Sequence, residues 1–238
     1  MHVYRGTAPI KAMTFDLDDT LYDNWPVIMK VEREMVLWLH QHHPVSASIS
    51  LERWQQVKQD VASMNPMLKH DVTLWRQTQI EQGLIMLGYG QAKAENAARE
   101  GIAHALWLRN QVDVPQESHR VLAELSQKMP LVAITNGNVD PHKIGLGCYF
   151  QLILRAGADG RAKPHPDMFD RAQQFLNVNP AEILHVGDHP ITDVLGAKQN
   201  GYQACWFNDQ GKTPYHTSKM RVLPDLEITQ ISDLLILM

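Results

Sequence analysis

The sequence has only two cysteines, Cys148 and Cys205, in 238 residues, and no CxxC spacing. Disulfide scaffolds and cysteine-based zinc sites need several cysteines at short spacings, so neither is predicted. We expect both thiols to be reduced and buried. The zinc-binding motif HExxH is also absent, although the chain has 12 histidines.

Long apolar runs are absent too. No run approaches the roughly 20 residues of a membrane-spanning helix, and the first residues lack the charged stretch and apolar core of a signal peptide. The formal net charge is −4, so the basic surplus typical of nucleic-acid-binding proteins is missing. These features predict a cytoplasmic protein that binds neither nucleic acid nor a membrane.

Short apolar runs alternate with helical patterns in the second half of the chain. Strands are predicted at 131–135, 152–155, 183–186 and 203–207, and helices at 116–128, 141–146, 166–176 and 193–200. Such alternation is typical of a parallel sheet covered by helices on both faces. A further apolar run at 12–15 must join this sheet, because one strand cannot stand alone.

The intervening residues 22–112 carry apolar side chains at helical spacing and predict a bundle of about four helices. Asp71 is placed to cap the start of the third helix, and Gly88 to end it. The predicted fold is therefore α/β: a doubly wound, Rossmann-like core of residues 1–21 and 113–238, with a helical cap inserted after strand 1.

Polar residues follow several of the predicted strands. They are the run Asp16-Leu17-Asp18-Asp19-Thr20, the pair Thr135-Asn136, Lys163, and Gly187-Asp188 with Asp193. Each alone is common as a turn, a helix cap or a surface residue. Because the carboxyl ends of parallel strands meet at one edge of a sheet, their convergence there predicts an active site.

These residue types suit phosphoryl transfer, which needs a nucleophile, charge neutralisation and a proton for the leaving group. The Asp16 carboxylate can attack phosphorus, and Asp18 can exchange the proton. Like charges about 4 Å apart repel by roughly 4 kcal/mol at an effective dielectric near 20. A cation is therefore required, and Mg²⁺ suits oxygen ligands. Lys163 adds a fixed positive charge, while Thr135 and the Asn136 N–H can donate to phosphate oxygens.

The same motifs resemble those of the haloacid dehalogenase-like superfamily, over the whole chain. The resemblance implies that Asp16 is nucleophile and Mg²⁺ ligand, and that Asp18 is the acid/base and binds the metal through its backbone carbonyl. The resemblance also implies that Asp188 binds Mg²⁺ directly and that Asp193 contacts the ligands without binding the metal. Catalytic Lys163 would precede a cis proline, and residues 22–112 would form a C1 cap. Thr20, Thr135 and Asn136 are predicted to bind phosphate.

The acidic Asp18 favours phosphate ester hydrolysis, because the dehalogenating branch lacks an acidic residue at this position. Segments such as HDVTLWR and ILHVGD resemble a bacterial branch that dephosphorylates flavin mononucleotide and 5-amino-6-(5-phosphoribitylamino)uracil in riboflavin metabolism. His189-Pro190 departs from the family pattern after Asp188, where a small polar or acidic residue is expected.

Four residues of the predicted cap are candidates for substrate contact: Trp25, His70, Trp75 and Arg76. A purely structural role in the helical bundle is the alternative for each of them. The predicted partner is a small phosphorylated metabolite, and the predicted state is a monomer or weak homodimer. Alternative functions are a sugar-phosphate or phosphoglycolate-type phosphatase, a phosphomutase, and a non-catalytic binding protein on the same scaffold.

Overall fold

The fold is given by a computed structural model that describes residues 1–6, 8–211, 213 and 218–238. One seven-stranded sheet runs through the described part, in the order β1-β7-β6-β5-β2-β3-β4. Its strands are β1 (His2–Val3), β2 (Ala12–Phe15), β3 (Leu131–Thr135), β4 (Leu152–Arg155), β5 (Ile183–Gly187), β6 (Gln203–Phe207) and β7 (Leu226–Ile228). Every neighbouring pair is parallel except β1 and β7.

Strand β2 lies in the middle of the sheet, between β3 and β5. Its four residues are fully buried, as expected for a strand with neighbours on both sides. The chain proceeds from β2 to β3 and β4 on one side, and then to β5 and β6 on the other. Such a reversal opens a crevice at the carboxyl ends of the central strands.

Among the described residues, three α-helices accompany the sheet: α5 (Gln116–Ser126), α6 (Asp167–Leu176) and α7 (Gly196–Gln199). A π-helical turn over Pro190–Leu195 precedes α7, so the predicted helix 193–200 is only partly correct. The predicted helix 141–146 is wrong. That segment forms turns, in which Gly145 adopts a left-handed φ of +79° that continues no helix. The predicted α/β fold with a parallel sheet is confirmed.

Residues 24–112 are all described, and they contain four α-helices: α1 (Trp25–His42), α2 (Leu51–Met64), α3 (Val72–Met86) and α4 (Gln91–Arg109). The Asp71 side chain accepts hydrogen bonds from two backbone N–H groups at the start of α3. Gly88 follows the end of α3 with φ +95°, which only glycine adopts easily. Both predicted helix-boundary signals are therefore confirmed.

The chain divides into two compact units, one of Met1–Asp23 with Asp113–Met238 and the other of Asn24–Val112. Within the described residues, no helix is long and apolar enough to cross a membrane. Both cysteines are free thiols; Cys205 is buried in β6, whereas Cys148 is exposed, contrary to our expectation.

Candidate active site

The acidic turn after β2 holds Asp16 and Asp18 at the carboxyl end of the strand. The backbone N–H of Asp16 donates to the carbonyl of Val186 in β5 at 2.9 Å, so Asp16 continues the sheet. Asp19 then takes a left-handed φ of 57°, which aspartate tolerates better than most residues. Across the turn Asp18 pairs with Tyr22, whose hydroxyl donates a hydrogen bond to Asp18 Oδ1. The Asp18 carboxylate therefore has a fixed partner.

Lys163 lies between two buried carboxylates. Its Nζ is 2.8 Å from Asp16 Oδ1 and 2.7 Å from Asp193 Oδ1. Only 3% of the lysine is exposed. These residues are far apart in sequence, and the parallel arrangement of β2 and β5 brings Asp16 and Asp193 to the same edge of the sheet. The predicted proximity of nucleophile and lysine is thus present in the structure.

The charges of this group are set by burial and by one another. Burial raises the pKa of Asp16 well above its ordinary value, Lys163 opposes the shift, and neighbouring carboxylates add to it. Burial disfavours charged Lys163, but Asp16 and Asp193 hold its pKa above the ordinary value. Burial also disfavours charged Asp193, yet Lys163 and His185 outweigh it and lower the pKa. Lys163 and Asp193 therefore form a charged pair.

Both carboxylate oxygens of Asp193 have protein partners. Oδ1 faces Lys163 and, at 3.2 Å, Nε2 of His185. Oδ2 accepts from the backbone N–H of His189 at 3.0 Å and from the hydroxyl of Thr192 at 3.3 Å. Since a carboxylate offers about four lone-pair sites, these partners occupy all of them.

Asp188 follows β5 and is held by two side chains. Its backbone N–H donates to Thr20 Oγ1 at 3.1 Å, and the Thr20 hydroxyl lies 3.4 Å from Asp188 Oδ1. Its carbonyl accepts from the indole N–H of Trp206 at 2.7 Å. Burial, reinforced by the charges of Asp193 and Asp19, raises the pKa of Asp188 to about 7. Thr20 thus contacts Asp188, and its binding of phosphate stays a prediction.

Three carboxylates could hold a cation together: oxygens of Asp16, Asp188 and Asp193 all lie within 4.8 Å of one another. An oxygen-only set with closely spaced negative charge suits a hard cation such as Mg²⁺. Because the oxygens of Asp193 are already occupied, Asp16 and Asp188 are the better-placed ligands. The backbone carbonyl of Asp18 remains a predicted ligand.

Thr135 ends β3, and Asn136 follows it next to Lys163. The Thr135 hydroxyl oxygen accepts from the backbone N–H of Gly137 at 2.9 Å and the residue is fully buried. The Asn136 side chain accepts from the backbone N–H of Lys163 at 2.7 Å and donates to its carbonyl at 3.0 Å. Asn136 therefore positions the lysine backbone, a role that the sequence did not predict. The bond between Lys163 and Pro164 is cis, as predicted.

The four predicted substrate contacts of the helical unit have different surroundings. Trp25 is the first residue of α1 and is 68% exposed, and His70 ends a short 3₁₀ helix before α3. The indole of Trp75 donates to the Lys58 carbonyl at 2.8 Å, and Arg76 pairs with Glu32. Trp75 and Arg76 thus have structural contacts within their own unit, and substrate contact by all four stays a prediction.

A cavity of about 360 Å³ lies within the sheet-containing unit, next to Thr20 and Asp188. Its other walls include the aromatic side chains of Tyr22, Trp206 and Phe207. Its volume is that of a small-molecule site.

Sequence reasoning missed three residues that support the site: Tyr22, His185 and Trp206. His185 and Trp206 are polar-tipped side chains inside apolar runs, and Tyr22 follows the acidic turn. Such a residue, when buried, needs a hydrogen-bond partner, and this was the available signal.

The comparisons with known proteins agree with this geometry. Residues 10–201 match the family model "haloacid dehalogenase-like hydrolase", and the chain belongs to this family of hydrolases.

Among individual proteins, the chain is 45% identical over 234 residues to the 5-amino-6-(5-phospho-D-ribitylamino)uracil phosphatase YigB of Escherichia coli, covering 98% of each chain. It is 26% identical to a glyceraldehyde 3-phosphate phosphatase of Pyrococcus furiosus, covering 95% of this chain and 92% of that one. The structure of a 2-haloacid dehalogenase from Pseudomonas syringae matches with a TM-score of 0.90 and 35% identity, covering 96% and 97% of the two chains. The predicted family and enzyme class, a phosphatase, are confirmed.

Proposed function

We propose that the protein is a Mg²⁺-dependent phosphomonoesterase that acts through an aspartyl-phosphate on Asp16. Its substrates are flavin mononucleotide and/or 5-amino-6-(5-phosphoribitylamino)uracil. The observation that carries the reaction type is the buried Lys163–Asp16 pair, with 2.8 Å between Nζ and Oδ1, beside the carboxylate of Asp188.

In the first step a carboxylate oxygen of Asp16 attacks phosphorus, and the bond from phosphorus to the ester oxygen breaks. Lys163 holds Oδ1 of Asp16, which leaves the other carboxylate oxygen for the attack. The departing oxygen takes a proton from Asp18, so the alcohol leaves neutral. Tyr22 supports this role because it fixes the Asp18 carboxylate by a hydrogen bond.

In the second step water attacks the phosphorus of the aspartyl-phosphate. Asp18, now ionised, takes the water proton, the acyl phosphate bond breaks, and the Asp16 carboxylate is restored with release of inorganic phosphate. The Thr135 hydroxyl and the Asn136 backbone N–H are the proposed donors to phosphate oxygens.

The donor set fits Mg²⁺, since Asp16 and Asp188 present closely spaced oxygen ligands. The Asp18 carbonyl is the third proposed ligand, by family resemblance. Bound Mg²⁺ supplies positive charge against the phosphate and the carboxylates. Asp193, whose oxygens are occupied, keeps Lys163 in place and does not bind the metal directly.

The substrate proposal is supported by similarity to YigB across both units, because its 98% coverage includes residues 24–112. Catalytic motifs alone cannot identify a substrate, since many phosphatases share them. Trp25, His70, Trp75 and Arg76 are the proposed substrate contacts of the helical unit. We place the enzyme in the cytoplasm, as a monomer or weak homodimer.

The test is phosphate release from flavin mononucleotide, ribose 5-phosphate and phosphoglycolate, each with Mg²⁺ and with chelator. We expect flavin mononucleotide to be hydrolysed fastest and chelator to abolish release. Asp16→Asn should lose activity while its circular dichroism spectrum is unchanged, and Asp113→Asn, on an exposed residue outside the site, is the matched control. Unchanged turnover by Asp16→Asn would refute the mechanism, and equal rates on all three esters would refute the flavin preference.

Dehalogenation is the second candidate, favoured by the 35% identity to the Pseudomonas syringae protein. Asp18 argues against it, because a general acid is needed for an alkoxide leaving group and not for a halide. Chloride release from 2-chloropropionate measures this activity. We expect none, and chloride release faster than phosphate release from any ester would reverse the assignment.

A further inference from the structure

Beneath the candidate site, a line of buried side chains connects the centre of the sheet with Lys163. It begins at Thr14 in β2 and His185 in β5, which lie opposite each other in the sheet register. Thr14 Oγ1 and His185 Nδ1 are 2.8 Å apart, and His185 Nε2 is 3.2 Å from Asp193 Oδ1. None of these three residues is more than 1% exposed. Water therefore cannot replace the contacts.

The direction of the hydrogen bonds follows from the partners. Asp193 is ionised beside Lys163, so it can only accept, and His185 must donate to it from Nε2–H. Burial lowers the pKa of His185, which keeps the ring neutral. Nδ1 then carries the lone pair and accepts from the hydroxyl of Thr14. Each group is satisfied in a single arrangement.

The acceptor of this histidine is the same atom that receives Lys163. Oδ1 of Asp193 contacts Nε2 of His185 at 3.2 Å and Nζ of Lys163 at 2.7 Å. Lys163 in turn reaches Oδ1 of Asp16 at 2.8 Å. A shift of the Asp193 carboxylate would therefore move the lysine away from the nucleophile.

We propose that His185 is a positioning residue for the Lys163–Asp16 pair: its ring, oriented by Thr14, fixes the Asp193 carboxylate and thereby the lysine. This inference rests on the proposed function in assigning Asp16 and Lys163 their catalytic roles. His185 itself does not touch the substrate.

The competing role is packing alone. His185 makes an edge contact with the ring of Phe169, with centroids 5.2 Å apart. Phenylalanine at position 185 would keep a ring of similar shape but could neither donate to Asp193 nor accept from Thr14. Glutamine has an N–H donor at about the distance of Nε2 and can restore the bond to Asp193. These two substitutions separate hydrogen bonding from packing.

The kinetic test compares wild type, His185→Phe, His185→Gln and Thr14→Val with flavin mononucleotide and Mg²⁺. We expect His185→Phe to lower kcat by about 10- to 100-fold with KM changed less than about threefold, because positioning affects the reacting pair. His185→Gln should recover kcat to within about fivefold of wild type, and Thr14→Val should lie between them. If His185→Phe retains at least half of the wild-type kcat, or if folded His185→Gln is as slow as His185→Phe, the proposal is wrong.

A second measurement does not depend on activity. In protein with ¹⁵N-labelled lysine, a buried ammonium held by two carboxylates exchanges slowly with water, and its resonance is identified by its loss in Lys163→Arg. We expect this signal to disappear or broaden in His185→Phe and to persist in His185→Gln. An unchanged signal in folded His185→Phe would refute the positioning role even if the wild type hydrolysed no phosphate ester. Absence of wild-type turnover would instead refute the proposed function.

Discussion

Gly187 and Asp193 are packed so closely that a Cβ atom on Gly187 would lie 2.4 Å from the carboxylate carbon of Asp193. Gly187 ends β5, and Asp193 lies in the π-helical turn that follows. No side chain fits between them without moving one of the two. Glycine is thus required here by close approach and not by backbone conformation.

Gly187→Ala is expected to displace the Asp193 carboxylate and with it Lys163. A misplacement of about 1 Å can cost about 100-fold in rate, and we expect a loss of that order in kcat, with a lower midpoint of thermal unfolding. Gly90→Ala is the matched control, because a Cβ there meets nothing within 4 Å. A fully active Gly187→Ala enzyme would mean that Asp193 does not set the lysine position.

Tyr22→Phe removes the hydroxyl that donates to Asp18 Oδ1 and leaves the buried ring in place. We expect kcat to fall about tenfold, with little change in KM, since an ordinary hydrogen bond contributes about 0.5–1.5 kcal/mol. Steady-state kinetics on a phosphomonoester measures this. Tyr149 lies shortly before β4, and its hydroxyl pairs with His119. Tyr149→Phe removes this hydroxyl and should keep wild-type kcat. Equal effects of the two variants would contradict a specific role for Tyr22.

Asp71→Ala removes the side-chain cap of α3, which accepts from the N–H groups of Thr73 and Leu74. The free energy of unfolding should fall by about 1 kcal/mol, measured by urea denaturation. Asp113→Ala, on an exposed aspartate outside the helices, serves as the control. If both variants unfold at the same urea concentration, the cap contributes nothing to stability.

Burial lowers the pKa of His185 below its ordinary value of 6.5, although the contact with Asp193 opposes the shift. Below about pH 6.5 the unfolded chain therefore binds a proton that the folded protein does not, and stability falls as the pH is lowered. The titration of His185 lowers the free energy of unfolding by up to about 1.4 kcal/mol for each pH unit.

Because glutamine does not titrate, the comparison of wild type with His185→Gln isolates this contribution from the other histidines. The stability of wild type relative to the variant should be lower at pH 5.5 than at pH 7.5, as measured by urea denaturation at both values. If the difference does not change with pH, the pKa of His185 is the same in the folded protein as in the unfolded chain.

The sequence predicted those elements whose pattern is local. The runs at 131–135, 152–155 and 203–207 are strands with the predicted limits, because an apolar run between polar turns has few alternatives. Strands β1 and β7 were missed, since two or three residues carry no periodicity. The prediction of a helix at 141–146 is wrong, because Gly145 has a left-handed φ that interrupts helical geometry.

At the site, the residue types and their meeting at one edge of the sheet were predictable, but the individual hydrogen-bond partners were not. Asp16 and Lys163 are 147 positions apart, and only the general rule about strand ends brought them together. That Asn136 would hold the lysine backbone, and that His185 would face Asp193, depends on the register of β3 and β5 and on side-chain rotamers. These are long-range geometric facts that a single sequence does not encode locally.

Because Lys163 lies between the carboxylates of Asp16 and Asp193, the protein should tolerate the loss of charge at Asp16. Neutralising Asp16 as asparagine leaves Lys163 and Asp193 as a balanced pair, 2.7 Å apart. An inactive Asp16→Asn protein should therefore keep its fold and bind a phosphate ester without hydrolysing it. Such a variant can be used to capture the natural substrate from a cell extract. Neutralising the lysine leaves the carboxyl groups of Asp16 and Asp193 within 4.8 Å of each other with no cation between them, so that variant is a poor choice for the same purpose.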